Sequence, residues 1–416
     1  MNITANLFKA LIIPLCILMP WNATALDHGS MSNQLLNQRI GKNIIDNLLV
    51  KGLLEITQGK TKQAINTINE LISTAPNFKL AYLIRGDLLL AQGRPLLNFG
   101  DPSLSDDSNN SSGQSIEGLR QEARVRLDYY LSDKKAAQLP DLLIKLGDKQ
   151  DNVIVVDTAS SRLFLYKKVN GILTYEADYY VTIGKNGPGK QIQGDKRTPL
   201  GVYFAGKKLT RPLEDMYGSA AYALNYPNEL DQNQQKNGNG IWLHGTPTDT
   251  YSRPPRASDG CVVLSNPDLN ALAPYLISGK TPVIISNNIQ WLEKEKSNFQ
   301  APQQQVLEDA IEQWRKDWAL QQTDAYLSHY SQSFFYSDGG YHQWANHKRG
   351  VQASKPKVAL SINDISMFSY PNFDQPIVVV DFEQDFKSAH LHNKMLKRQY
   401  WLYENNQWKI IYEGAT

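Results

Sequence analysis

Apolar residues recur at helical spacing over residues 37–92: Leu48, Leu49, Leu53, Leu54 and Ile56, then Ala64, Ile65, Ile68 and Leu71. A period of 3.6 residues predicts amphipathic helices here. Pro76 ends the second, and a third is expected from about Phe78 to Gln92. Two more are predicted, one near 116–131 and a short one near 140–146. From about residue 152 the pattern shortens to that of strands. Asn152–Thr158 (NVIVVDT) and Arg162–Lys168 (RLFLYKK) read as two strands joined by a tight turn at 159–161. Tyr175–Ile183, Gly201–Lys207, Gly240–His244 and Pro282–Ser286 read as further strands, and a short helix is expected at 267–277 with Asn266 as its N-cap. The stretch 150–288 is therefore expected to be a mostly β domain.

A charged, glutamine-rich segment, Glu293–Gln305, leads into a helix carrying Leu307, Ile311, Trp314 and Trp318 on one side. Strand-like runs follow at 358–370, 376–387, 395–404 and 407–412. In the second of these, Val378, Val380, Phe382 and Phe386 share one face, and Asp381, Glu383 and Asp385 the other. A long helix feeding an antiparallel sheet predicts a small α+β domain over 300–416. The polar run 100–115 predicts a loop or linker. The chain is thus expected to be multidomain: helical over 26–148, mostly β in the middle, α+β at the end.

Residues 1–25 follow another logic. Lys9 precedes an apolar run from Ala10 to Trp21, and Ala23-Thr24-Ala25 offers a small-x-small site. That order predicts a secretory signal peptide cut after Ala25, with an uncleaved anchor as the alternative. No second long apolar segment follows, so no membrane span is expected after cleavage, and the mature protein is expected in the periplasm or cell wall. A formal net charge of +2 over 416 residues argues against a nucleic-acid partner. Of two cysteines, Cys16 lies in the apolar run, so the mature chain is expected to hold one, Cys261. A lone thiol in an exported protein is either inert filling or a working group.

The segment Ile241–Asn266 (IWLHGTPTDTYSRPPRASDGCVVLSN) places His244 at the end of a strand and Cys261 in the turn Ser258-Asp259-Gly260-Cys261. An imidazole beside a thiol lowers its pKa, and the thiolate can attack a carbonyl to form a thioester. Gly260 permits a sharp turn in which consecutive amides point at one spot, a candidate oxyanion hole. The competing reading is a buried cysteine and a hydrogen-bonded histidine. Lys185, Lys190, Lys196 and Arg197 cluster along one loop and are read either as carboxylate-binding or as solvated. His390 and His392 lack a matching third ligand, and neither metal nor cofactor is expected.

His244-Gly245 and Ser258-x-Gly260-Cys261, with Val262 and Val263 after them, resemble the signature of YkuD-type L,D-transpeptidases. Ile183-Gly184-Lys185, Gly189-Lys190, Gly194-Asp195, Thr198-Pro199 and Gly201-Val202-Tyr203 extend the resemblance over 150–288. It implies a β-rich catalytic domain acting on peptidoglycan stem peptides through a cysteine thioester. The bond attacked would join the L-centre of a diamino acid to a terminal D-alanine. Cys261 would be the nucleophile, His244 the base, and the Gly245 carbonyl the group that orients the imidazole. The amides of Gly260 and Cys261 would hold the oxyanion. Ser258, Asp259, Trp242, Gly184, Lys185, Arg197 and Tyr226 would line the substrate side. Many members carry His where Asp259 stands, which puts the acceptor in doubt: Asp259 either selects a cationic amine or caps the turn. The Ser-Asp-Gly-Cys form resembles the cell-shape-determining L,D-carboxypeptidase branch, in which water takes the acyl group. A non-catalytic wall-binding scaffold is the alternative of another class.

The spacing of Gly52, Ala64, Pro76, Ala81 and Gly86 resembles one tetratricopeptide unit, with a plain helical hairpin as the alternative. The last domain resembles the NTF2-like fold, with Trp314 and Trp318 on its helix and Tyr400-Trp401-Leu402-Tyr403 and Trp408-Lys409-Ile410 in its sheet. It would bind wall fragments or a protein partner, or pair two subunits, or else the aromatics are core alone.

Overall fold

The computed structural model describes residues 43–96, 99–100, 116–132, 138–293, 301–353, 358–388 and 391–416. The expected signal peptide, most of the 100–115 linker, residues 294–300 of the second linker and His390 lie outside the described residues. Two compact units form: the described residues up to Ser132 with Thr246–Pro255, and the described residues of Asp133–Gly245 with Arg256–Thr416.

The first unit is helical, with helices Ile44–Thr57, Thr61–Thr74, Lys79–Leu90 and Ile116–Leu131. Asn43 starts the first by accepting the N–H groups of Ile45 and Asp46 on its side chain. Leu49, Ile68, Leu71, Leu80 and Ala81 are fully buried at the positions the apolar period marks. The segment 246–255 completes this core. Tyr251 packs its ring 5.0 Å from that of Phe78 and donates its N–H to Asn77 O. Ser252 Oγ donates to Glu122 Oε1 at 2.6 Å, an oxygen that also accepts two bonds from Arg126, while Arg126 pairs with Asp46 as well. Burial drives the Glu122 pKa up even though Arg126 and Ser252 oppose it.

The second unit is built on two sheets. The first has its strands in the order Val262–Val263, Trp242–His244, Ala221–Leu224, Gly201–Lys208, Pro282–Ser286, Asn152–Asp157, Arg162–Val169, Ile172–Tyr180. The pairings of Val262–Val263 with Trp242–His244 and of Pro282–Ser286 with Asn152–Asp157 are parallel; the others are antiparallel. Ile154, Val156, Leu163, Leu165, Leu243, Val262, Val283 and Ile285 point into one core, as period-2 alternation requires. Beside this sheet, Ile183–Gly184 pairs in parallel with Arg256–Ser258.

The other sheet runs Gly339–Gly340, Tyr330–Tyr336, Gln407–Ala415, His392–Glu404, Ile377–Lys387, Ala359–Ser369, Leu143–Lys145. Helix Ala301–Ala319 brings Leu307, Ile311 and Trp314 into a core with Tyr326, Tyr330, Phe382, Trp401 and Ile410. Contacts that tie the sheets together include Asn228 Nδ2 donating to Tyr370 Oη at 2.9 Å and Tyr400 Oη donating to Glu229 Oε2 at 2.8 Å.

Three local expectations change. Residues 140–146 are not a helix: Gln138–Pro140 pairs with Trp291–Glu293, and Leu143–Lys145 adds a seventh strand beside Ala359–Ser369. Seven residues are too few to sustain a helix alone, and an open sheet edge offers their backbone partners. The helix expected at 267–277 spans Asn266–Leu272 and is capped by Ser265, whose side chain accepts from Asp268 N–H; a short 3₁₀ turn follows at Ala273–Tyr275. Helices Thr323–Ser328 and Tyr341–Ala353 were not anticipated, being short or weakly periodic. No helix among the described residues is long and apolar enough to cross a membrane.

Candidate active site

Strand register brings His244 and Cys261 to the same side. Val262 lies opposite Leu243 and Val263 opposite His244. Val262 and Leu243 face the core, so alternation turns His244, Val263 and the preceding Cys261 the other way, with Trp242. Tyr217, on the short 3₁₀ turn Asp215–Tyr217, packs its ring 5.2 Å from His244 and 4.9 Å from Trp242. Its hydroxyl pKa is raised first by burial and then by the nearness of Cys261 and Glu214, which sets the sulfur in the same cluster. Cys261 is half-buried, and its Sγ lies 3.4 Å from Gly240 O.

His244 is 2% exposed. Its Nδ1 stands 2.7 Å from Gly245 O. A carbonyl only accepts, so Nδ1 carries the proton and Nε2 is the basic nitrogen. The residue that supplies the carbonyl is anchored on its other side, because Gly245 N–H donates to Tyr217 O and Ala220 O. A side chain at this position would force Asn266 aside: a Cβ on Gly245 would sit 2.0 Å from Asn266 Oδ1, which accepts the Ser219 N–H.

The turn Ser258–Cys261 is braced from within. Ser258 Oγ donates to Cys261 O at 2.6 Å and accepts Gly260 N–H at 3.2 Å. Thr198, fully buried, donates to Gly260 O and accepts Gly184 N–H, each at 2.9 Å. Gly260 has φ of 127°, and a Cβ there would meet Arg197 O at 2.8 Å. The loop running from Gly184 to Thr198 is stiffened by Asp195, which pairs with the buried Lys190 and accepts the N–H groups of Gln191, Ile192 and Arg197. Burial opposes ionisation of Asp195, but these partners outweigh it and its pKa falls to about 2.

The remaining expected residues separate into two groups. Asp259 pairs with Lys185 at 3.1 Å, both half open to solvent, and Lys185 N–H donates to Ser258 O. Trp242 carries Arg211 over its ring at 5.5 Å. Those residues surround Cys261 and His244. Arg197 is exposed and donates from Nη1 to Pro188 O, while Tyr226 is a core residue, its ring against Tyr203 and its hydroxyl on Asn237 O. Tyr217, in contact with His244, was not singled out from sequence; a half-exposed tyrosine between the two motif stretches gives no periodic signal. Among the described residues no three His, Cys, Asp or Glu side chains group as metal ligands, and His392 bonds to Asp385.

Residues 151–285 match the L,D-transpeptidase catalytic domain, and residues 306–414 match the Cds6 C-terminal NTF2-like domain. The chain is similar in structure to Bd1075 of Bdellovibrio bacteriovorus, with 27% identity and a TM-score of 0.58 over 67% of this chain and 98% of that one. It is also similar to Pgp2 of Campylobacter jejuni, a helical cell shape determining protein, with 28% identity and a TM-score of 0.55 over 66% of this chain and 96% of that one. No curated protein matches the chain.

Proposed function

From the premise of an L,D-transpeptidase catalytic domain joined to an NTF2-like domain, we propose that the protein cuts the amide between the L-centre of a diamino acid and the terminal D-alanine of peptidoglycan tetrapeptides. One observation carries this reading: Cys261 shares a sheet face with a His244 whose Nδ1 is tied to Gly245 O. Nε2 of His244 takes the thiol proton, and the sulfur attacks the carbonyl carbon. We assign the oxyanion to the Cys261 amide, since Gly260 N–H is directed to Ser258 Oγ. Collapse expels D-alanine, protonated by His244, and leaves a thioester. Water, deprotonated by the same imidazole, then releases a tripeptide.

Water is favoured over a second stem peptide by the state of Asp259. Its carboxylate pairs with Lys185, so an incoming amine would meet a carboxylate whose charge is partly compensated. Incubation with a purified tetrapeptide muropeptide tests the proposal. Tripeptide and free D-alanine are expected from the full chain, and none from Cys261→Ala. Unchanged muropeptides with the unaltered protein would leave the scaffold reading standing. A dimer linked between two diamino acids would instead establish transfer. Lys185→Ala, which releases Asp259, is expected to raise any dimer fraction.

Export to the periplasm belongs to the same proposal and rests on residues 1–25; fractionation of cells expressing the full chain tests it. The helical region is assigned as a tetratricopeptide-like unit on its Gly52, Ala64, Pro76, Ala81 and Gly86 spacing.

A further inference from the structure

We propose that the segment Asn228–Gly240 is a strut through which the C-terminal sheet positions Cys261 and the loop running from Gly184 to Thr198, with Tyr400 and Asn237 as its two positioning residues. Neither residue touches a reacting atom. The inference rests on the reading of Cys261 as the attacking group and deepens it.

The strut begins at the C-terminal sheet. Tyr400, 1% exposed, donates its hydroxyl to Glu229 Oε2, and Tyr370 accepts Asn228 Nδ2. Asn228 caps the helix Glu229–Asn233, in a capping box with Asp231. Five residues are too few to hold a helix alone, so this one depends on its cap and its anchors. Arg398, on the same strand face as Tyr400, firms the seam: it lies 3.5 Å from the Phe204 ring centre and is held by two 2.7 Å bonds to Asp381.

The helix is tied in turn to the residues that follow it. Asp231 is fully buried, and its carboxylate accepts Tyr203 Oη and Lys236 Nζ, each at 3.0 Å. Lys236 N–H also donates to Asp231 O. With Lys236 fixed, Asn237 works as a clamp on the loop. Its N–H donates to Gln191 O, and its Oδ1 accepts Gln193 N–H at 2.8 Å. Gly238, with φ of 100°, passes so close that a Cβ would lie 3.2 Å from Gln193 Cα. The segment ends on the sulfur: Cys261 Sγ donates to Gly240 O at 3.4 Å.

One short segment therefore bonds to the C-terminal sheet at its start and to the loop and the thiol at its end. A chain of such bonds can carry a displacement from one end to the other. The proposed attack needs the sulfur beside His244 Nε2, where a misplacement of about 1 Å costs about a hundredfold. A loosened strut leaves the thiol less often beside its base, and so less often a thiolate.

Alkylation of Cys261 by iodoacetamide in the full chain tests the strut, and it uses no muropeptide. Tyr400→Phe, which deletes the hydroxyl bonded to Glu229, is expected to slow alkylation about fivefold, and Asn237→Ala about as much. Asn237→Asp keeps the acceptor for Gln193 N–H and is expected to restore the rate to within about twofold. The double variant Tyr400→Phe with Asn237→Ala is expected to be no slower than Asn237→Ala alone, because the strut is already released at its far end. Turnover of tetrapeptide should follow the alkylation rates. A merely structural loss would instead speed alkylation by exposing the thiol. Asn237 is exposed, so its variants read the strut even where the buried Tyr400→Phe fails to fold. Unchanged alkylation in both single variants would overturn the proposal. So would effects that simply multiply in the double variant, or no rescue by Asn237→Asp. A chain that shows these rates yet leaves tetrapeptides intact would sink the assigned reaction and keep the strut.

Discussion

Around Cys261, Ser258 bonds the turn at both ends, Thr198 joins Gly184 to Gly260, and Gly245 holds the ring of His244. In the C-terminal domain, Gln352 and Gln384 are equally buried, yet three of their side-chain atoms have no partner. The same residue chemistry thus serves opposite ends. Polar groups that bond to backbone hold the Cys261 turn and His244 in one geometry, which under the proposed reaction would be preorganised for attack. Polar groups left unsatisfied inside a domain cost it stability.

Substitutions can break this contrast or sharpen it. Gly245→Ala should have the largest effect: the methyl would displace Asn266 and the peptide that orients His244. Turnover is expected to fall about a hundredfold or more. Gly245→Ala with Asn266→Gly should recover part of it, as muropeptide kinetics would show; a single variant of full activity would mean the carbonyl does not orient the base. Thr198→Val is next. It leaves Gly184 N–H and Gly260 O without their buried partner, and urea unfolding should show a loss of about 2–3 kcal/mol. Gln384→Leu should change stability in the other direction, so losses from both would erase the distinction.

Acid should loosen the Gly184–Thr198 loop selectively. The folded pKa of Asp195, about 2, lies below the unfolded value near 3.8. Its stabilisation is therefore present above about pH 4 and lost as pH falls toward 2, a change of about 2 kcal/mol. In Asp195→Asn that part of the pH slope should vanish, as unfolding titrations across this window would reveal. Tyr217→Ala should have the smallest effect, about tenfold in turnover, by freeing the imidazole that the ring packs against. Tyr217→Phe should be close to neutral, since the ring rather than the hydroxyl makes the contact.

Much of this was readable along the chain. The apolar periods located the helices of the first unit and the strands at 152–157, 162–169, 282–286 and 377–387, because each buries one face or both against a core. Elements whose state depends on a distant partner were not readable. Leu143–Lys145 becomes a strand only because Ala359–Ser369 lies beside it, more than two hundred positions later in the chain. Ser265 rather than Asn266 caps its helix because the Asn266 side chain is engaged by Ser219 N–H. Gln384 shows in sequence as a polar residue on an apolar stripe, but only burial without a partner makes it informative.

The sequence by itself determined the candidate residues: Cys261 after a glycine turn, His244 followed by a glycine, and the alternation that builds the sheets. Tertiary structure alone decided what surrounds those residues. The parallel register carries the Cys261 turn alongside His244, Tyr217 arrives from an unrelated turn to pack on the imidazole, and Glu413 meets Lys397 from the neighbouring strand. Side-chain type and period are local properties of the chain, whereas proximity, desolvation and charge balance arise only when distant segments share one volume.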